Sequence, residues 1–223
     1  MVAVIALGAG APATAAMPGL YFHGFYMDSA LAYSTADVTQ ASMETSRAEV
    51  WGEYGWNIAD LQESSFDRTD IGYSFGVGFQ LTDYLAGELA YVQMGEVRYT
   101  GIGLVEDEVS GSTALSRTDM RMRARGLSLS GIAIYPMGDR WAFDARAGAL
   151  LGKAKLSYVV QLQAAGYDED SLKGDSVALT YGAGVNFSMS PGTAIRAGYT
   201  RLHQALYGGR DVSSWTLSLK YAW

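Results

Sequence analysis

Two segments of the chain alternate strictly between apolar residues and small or polar ones. In residues 70–81 (DIGYSFGVGFQL), every second position is bulky and apolar: Ile71, Tyr73, Phe75, Val77, Phe79 and Leu81. Residues 177–189 repeat the pattern with Val177, Leu179, Tyr181, Ala183, Val185, Phe187 and Met189. A period of two places these side chains on one face of a β-strand. The pattern therefore predicts strands with one apolar face.

The residues on the opposite face are mainly Gly, Ser, Ala and Thr, with a few charges. A soluble sandwich or a lipocalin would point its apolar face inward and would carry many Lys and Glu on its outer surface. Small and polar residues instead suit the narrow lumen of a small barrel whose apolar face meets lipid. The side-chain sizes thus favour a membrane barrel.

Turn signals divide the chain into eight strands. Short connections are predicted at 80–84, 135–140 and 189–193, and long polar loops at 34–68, 100–117, 157–174 and 204–211. The strands then fall at about 20–33, 69–81, 84–99, 120–135, 141–156, 175–189, 193–203 and 212–223. We expect an all-β fold, an eight-stranded antiparallel up-and-down transmembrane β-barrel, with short turns in the periplasm and long loops outside the cell.

Residues 1–16 are uncharged and rich in small apolar residues, and Ala13-Thr14-Ala15 has the form of a signal-peptidase site. We interpret 1–16 as a signal peptide and 17–223 as the barrel domain; the alternative is a buried N-terminal strand or helix. After residue 16 no apolar run reaches the ~18 residues of a transmembrane helix. Strands are therefore the expected way across a membrane.

Composition narrows the function classes. The chain has no cysteine, which excludes disulfides and thiolate metal sites. Its net charge of −7 argues against a nucleic-acid partner, because phosphate binding needs clustered cations. The 27 glycines and 15 tyrosines suit closely packed strands with aromatic belts.

The final strand (SWTLSLKYAW, residues 214–223) places a row of aromatic and aliphatic side chains on the lipid face: Trp215, Leu217, Leu219, Tyr221 and Trp223. This ending resembles the insertion signal of bacterial barrel proteins. Together with residues 135–150 (YPMGDRWAFDARAGAL) and 187–202 (FSMSPGTAIRAGYTRL), the sequence resembles the OmpA-like, opacity-type family of eight-stranded outer-membrane barrels. The resemblance implies a bacterial outer-membrane location, insertion by the barrel-assembly machinery, and loops that contact an extracellular ligand as surface antigens and adhesins do.

Charged residues on the lumen parity form the first candidate site: Glu88, Asp144, Arg146, Arg196 and Lys220. Buried charges are tolerated only when they are paired and hydrogen-bonded, and an eight-stranded barrel is narrow enough for side chains to fill. We expect a salt-bridged plug. The alternative is a gated path for small ions or solutes through the same charges.

Three arginines alternate at the start of the fourth strand, on the parity of its lipid-facing leucines: Arg121, Arg123 and Arg125. We hypothesise that they contact lipopolysaccharide phosphates, which suit the bidentate geometry of Arg. The alternative is a β-bulge that turns them toward solvent or the lumen.

Catalytic and metal chemistry find little support. The acidic clusters at 106–108 and 168–170 lack the spacing of a calcium loop and are interpreted as solvated loops, so no metal and no cofactor is expected. Neither His23 nor His203 has the local serine expected of a lipid A deacylase, so we predict no enzymatic activity, with lipid A modification as the least favoured alternative. The aromatic group Trp51, Tyr54 and Trp56 is either an adhesive surface or the core of the first loop.

Overall fold

The computed structural model describes residues 24–162, 166–206 and 208–222. Within these residues it has ten strands and one helix: β1 (Gly24–Ala36), α1 (Gln40–Glu53), β2 (Trp56–Asp67), β3 (Thr69–Thr82), β4 (Leu85–Gln93), β5 (Val97–Asp107), β6 (Thr113–Pro136), β7 (Trp141–Leu162), β8 (Gly166–Ser190), β9 (Thr193–Leu206) and β10 (Arg210–Ala222). The predicted signal peptide at 1–16, His23 and Trp223 lie outside the described residues.

Eight of the strands close into a ring. The order β6-β4-β3-β1-β10-β9-β8-β7 is completed by pairing of β7 with β6, and every neighbouring pair is antiparallel. Short turns join β3 to β4, β6 to β7 and β8 to β9. The predicted eight-stranded antiparallel barrel and its three short turns are confirmed.

Beyond the ring, at the end opposite the short turns, the sheet continues. β2 is the outer continuation of β3, β5 is that of β4, and the two pair with each other. β5 also pairs with the outer half of β6, and β6, β7 and β8 are 24, 22 and 25 residues long. Since about 9–11 residues of a tilted strand cross a bilayer, roughly half of each long strand projects beyond it.

The prediction of long loops at 34–68, 100–117 and 157–174 was therefore wrong, because strand polarity inverts outside the membrane. In the lower half of β6, Leu127 and Leu129 point outward and are exposed, while Ser128 and Ser130 point inward. In its upper half the inward side chains are Met120, Met122 and Ala124 together with the hydroxyl residues Ser116 and Thr118, and the outward ones are mostly charged. The upper half is surrounded by water rather than lipid, so its outward positions are polar. The apolar outward face from which the membrane-spanning strands were predicted is therefore absent there.

Helix α1 lies between β1 and β2. Its N-cap is Thr39, whose side chain accepts a hydrogen bond from the Ser42 N–H at 3.2 Å. Its buried residues are Met43, Arg47, Val50 and Trp51, spaced so that they share one face of a helix. No helix among the described residues is both long and apolar enough to cross a membrane.

Candidate functional site in the barrel interior and at its outer surface

The deepest part of the membrane-spanning lumen holds a charge pair that bridges β7 and β9. Arg196 Nε and Nη2 donate to Asp144 Oδ2 and Oδ1 at 2.7 and 2.9 Å. Asn186, on the intervening β8, donates to the same carboxylate at 2.7 Å, and Arg196 Nη1 donates to Thr216 Oγ1 at 3.2 Å. This carboxylate is thus saturated by charge-assisted bonds.

A second carboxylate extends the network across the lumen. Arg146 Nη1 lies 3.3 Å from Glu88 Oε1, and Arg146 Nε lies 3.8 Å from Asp144 Oδ1. Tyr26 donates its hydroxyl to Glu88 Oε2 at 3.2 Å, and Lys220 Nζ lies 5.0 Å from the centroid of the Tyr26 ring. The structure thus brings together all five charges that the lumen parity indicated.

Sequence reasoning missed three members of this network: Tyr26, Asn186 and Asp28. Asp28 is buried on β1 and is the register partner of Lys220 on β10. Its signal was the alternation of residues 27–33, in which Met27, Leu31 and Tyr33 share the parity opposite to Asp28. The apolar residues on both faces of residues 20–26 obscured that parity.

Above the network lies a small internal cavity of about 80 Å³. Small and hydroxyl side chains line its walls, Glu88 and Arg146 contribute to its floor, and Val92, Met94 and Leu202 contribute to its roof. A cavity of this volume has room for a few water molecules beside the polar groups of Glu88 and Arg146.

The roof belongs to an apolar core that fills the projecting part of the barrel. Its buried residues include Met94, Met120, Leu150, Leu156 and Leu202. Because their side chains occupy the interior, the part of the barrel above the cavity is packed rather than open.

Helix α1 packs against this core. Trp51 Nε1 donates to Thr118 Oγ1 at 2.8 Å, and Arg47 donates to Thr118 Oγ1 and Ser116 Oγ at 3.3 and 3.1 Å. Both side chains are almost fully buried, and the burial lowers the pKa of the Arg47 guanidinium. Trp51 is therefore a packing residue, whereas Tyr54 is exposed and donates to Asp168 Oδ2 at 2.8 Å.

The three alternating arginines lie on the outer surface. Arg121, Arg123 and Arg125 are exposed, and β6 pairs with β7 in unbroken register along this stretch, without the β-bulge of the alternative reading. Arg123 Nη2 and Arg121 Nε lie 2.6 and 3.7 Å from the two carboxylate oxygens of Glu96. Sequence reasoning did not single out Glu96.

One residue of each acidic cluster forms hydrogen bonds within its own hairpin. Asp107 accepts hydrogen bonds from the N–H groups of Ser110 and Val109 at 2.7 and 2.9 Å, and these bonds lower its pKa. Asp170 Oδ2 accepts from the Tyr158 hydroxyl at 3.5 Å. In the part of the chain that the structure describes, no group of acidic or histidine side chains is arranged to hold a metal ion.

The remaining predicted residues lie at the two ends of the last strands. Trp215, Leu217, Leu219 and Tyr221 all point outward and are exposed. At the opposite end, His203 Nδ1 lies 2.8 Å from Asp211 Oδ1. The hydrogen bonds of the described residues include none between His203 and a serine.

A closed antiparallel ring with an apolar exterior and a polar, ion-paired interior defines an outer-membrane β-barrel. A family model, the OmpA-like transmembrane domain, matches residues 30–213. The chain belongs to this family and is located in the bacterial outer membrane.

Solved structures of outer-membrane proteins match this chain at low sequence identity. Neisserial surface protein A is 13% identical, with a TM-score of 0.50, and the match covers 90% of this chain and 97% of that one. Ail, the attachment invasion locus protein of Yersinia pestis, is 13% identical (TM-score 0.47; 89% and 98% covered), and OprG of Pseudomonas aeruginosa is 12% identical (TM-score 0.43; 93% and 100% covered). No curated protein matches the sequence. At these identities the likeness to Neisserial surface protein A concerns the fold.

Proposed function

We propose that this protein is a closed structural barrel whose projecting sheet presents an interaction surface outside the cell. The observation that carries the proposal is the unbroken continuation of β6, β7 and β8 beyond the bilayer. Their outward side chains there are mostly polar and exposed, over an apolar interior. The sheet and α1 thus form a fixed surface, where long polar loops had been predicted.

Contacts between separate segments support a rigid surface. Tyr54, just after α1, is bonded to Asp168 on β8, and Gln40 Nε2 donates to Ser64 Oγ on β2 at 2.7 Å. These bonds tie the helix to two sides of the projecting sheet. A preformed surface loses little conformational entropy when it binds a partner.

The same proposal gives the lumen a sealing role. The ion network closes the membrane-spanning part, and the apolar core with α1 closes the projecting part. Two independent seals argue against the alternative of a small-solute or ion channel, and the proposal includes no catalytic step.

The outward row on β10 fits an insertion signal. The outward face of β10 exposes a periodic row of apolar side chains, Trp215, Leu217, Leu219 and Tyr221. We propose that the barrel-assembly machinery recognises this row before lipid covers it. We extend this role to Trp223 from the sequence pattern alone.

Planar-bilayer recordings test the seals. The full chain is expected to give no stable conductance steps, and a variant that removes two charges of the ion network, Glu88→Gln with Arg146→Gln, is expected to stay silent because the apolar core remains. Regular porin-sized steps from the wild-type protein would contradict the sealing role.

Proteoliposome binding tests the surface. Replacing residues 158–170 by Asn-Gly joins Ser157 to Ser171, which are register partners, through a two-residue hairpin turn. Liposomes carrying the wild-type protein are expected to bind surfaces coated with extracellular-matrix proteins more strongly than liposomes carrying the shortened variant. Equal binding by wild-type and protein-free liposomes would contradict the interaction role.

A further inference from the structure

A row of positive charges crosses three adjacent strands of the barrel. Arg123 on β6 is the register partner of Lys155 on β7, which is in turn the partner of Lys173 on β8. All three side chains are exposed. Like charges that face each other directly destabilise a sheet, so this row needs an anion to offset the repulsion.

The row lies just outside the apolar exterior. Arg125 and Lys153 form the next outward pair below it, and Leu127 and Leu151, both exposed, form the pair below that. Each step of two residues is roughly 7 Å along a strand. The cations are therefore placed where the lipid hydrocarbon ends and the headgroups begin.

A single buried carboxylate organises the arginines beside this row. Glu96 is 8% exposed, whereas Arg98, Arg121 and Arg123 are 57–60% exposed. Arg123 Nη2 lies 2.6 Å from Glu96 Oε2, and the Nε atoms of Arg98 and Arg121 lie 3.6 and 3.7 Å from Oε1. Glu96 holds three guanidinium groups together while their remaining donors stay accessible.

The charge of this belt is opposite to that of the whole chain. Its cations are Arg98, Arg121, Arg123, Arg125, Lys153, Lys155 and Lys173, and its nearby carboxylates are Asp67, Asp70, Glu96, Asp119 and Asp175. Among the ion pairs of the described residues, none involves Arg125, Lys153, Lys155 or Lys173. A surface with two excess positive charges on a protein of net charge −7 is suited to an anionic ligand.

The lipid-facing surface below the belt is unusually flat. Gly131 and Ala133 on β6 are the register partners of Ala147 and Ala145 on β7, and all four are exposed. Bulky side chains occupy the equivalent outward positions on β3 and β10. Acyl chains attached to a headgroup in the belt have room to lie against this surface.

We propose that the belt binds the phosphate groups of a phosphorylated glycolipid of the outer leaflet, lipopolysaccharide. Arg98, Lys155 and Lys173 join the arginines that the sequence suggested, and Glu96 is a positioning residue. The position at the headgroup level favours a lipid phosphate over a free one. The ligand is a lipid, so the inference goes beyond the proposed surface interaction and does not depend on it.

Binding of the full chain to phosphatidylcholine vesicles that contain diphosphorylated lipid A tests the proposal. The test variant combines Arg123→Gln, Lys155→Gln and Lys173→Gln, and the control Arg140→Gln removes an exposed cation from the short turn at the other end of the barrel. Each belt cation is expected to contribute about fivefold in affinity, so the triple variant should bind on the order of a hundredfold more weakly. The control should bind like the wild type.

Thermal unfolding adds a second measurement. The difference in unfolding temperature between variant and wild type is expected to have opposite signs without and with lipid A. In lipid-free detergent the double variant Lys155→Gln with Lys173→Gln, which leaves the Arg123–Glu96 pair intact, should unfold at a higher temperature than the wild type, because the like-charge repulsion is gone. In lipid A vesicles the same variant should unfold at a lower temperature than the wild type, because it binds less of the stabilising lipid. If the triple variant does not fold, the single variant Lys155→Gln carries the same test with an expected fivefold loss.

Three results would overturn the proposal: unchanged lipid A binding by the folded variant, equal binding of dephosphorylated lipid A, or release of lipid A by millimolar inorganic phosphate. The variant Glu96→Gln separates positioning from net charge. It raises the positive charge of the belt, so a purely electrostatic surface predicts tighter binding. The positioning role predicts weaker binding, and tighter binding would refute that role.

Discussion

Arg196 and Asp144 form a bidentate ion pair inside the membrane-spanning lumen, with side chains only 2% and 1% exposed. The pair reaches across β8, so it joins β7 and β9, which are not neighbours in the sheet. Arg196 is also confined by two glycines, since a Cβ atom at Gly184 would lie 2.5 Å from its Nη2 and one at Gly198 would collide with its guanidinium. The backbone therefore leaves space for this one side chain.

Removing either partner of that pair should be costly. Asp144→Asn or Arg196→Gln alone leaves a buried charge without its partner and should lower the free energy of unfolding by about 3–5 kcal/mol. The double variant should recover part of the loss. Urea unfolding in detergent micelles measures each value, and the matched control Arg201→Gln, at a rim pair with Asp211, should cost about 0–1 kcal/mol. Additive losses in the double variant would contradict the direct coupling.

Gly78 should not tolerate a side chain. A Cβ atom there would collide with the ring of Tyr26, which donates its hydroxyl to Glu88. Gly78→Ala should therefore displace the ring and cost about 1–3 kcal/mol of unfolding free energy. Gly87→Ala, on the neighbouring strand, adds a methyl group where nothing lies within 4 Å, and it should be close to neutral. Equal effects of the two substitutions would contradict this packing.

Thr118 should control how firmly α1 is held. Its hydroxyl accepts from both Trp51 and Arg47, so Thr118→Val leaves two buried donors without this acceptor and should destabilise the closed position of α1 by about 1–3 kcal/mol. Hydrogen exchange of residues 40–53 should accelerate accordingly. The control Thr45→Val removes a hydroxyl that bonds only within α1, to the Ala41 carbonyl. Similar exchange in the two variants would contradict the role of Thr118.

Asp211 should make the connection between β9 and β10 sensitive to acid. The Gln204 N–H, then Arg201 and His203, lower the pKa of Asp211 from 3.8 to about 2. A carboxylate with a lowered folded-state pKa contributes stability that is fully present above its ordinary pKa and is lost as the pH falls through the folded value. The stability difference between wild type and Asp211→Asn should be present at about pH 4 and close toward about 2. A difference that does not change over this range would contradict the assignment.

The sequence by itself determined the membrane part of the barrel. Alternation of bulky and small residues is set by the geometry of a strand between lipid and a narrow lumen, so parity and the turn signals together predicted the ring, and parity placed the five charges on the lumen side. The same parity correctly pointed Arg121 outward. Each of these features depends on which face of one strand a residue occupies, and that is a local property.

Only the tertiary structure decided what lies beyond the bilayer. There the outward face meets water, so β2 and β5 lack the apolar outward face of the membrane-spanning strands. The inward side chains of β5, among them Tyr99 and Val105, are buried instead. The buried spacing of Met43, Arg47, Val50 and Trp51 was readable, but what that face covers depends on β6. The row from Arg123 through Lys155 to Lys173 exists only because three distant segments pair in one register, and pairing register is not encoded in any single strand.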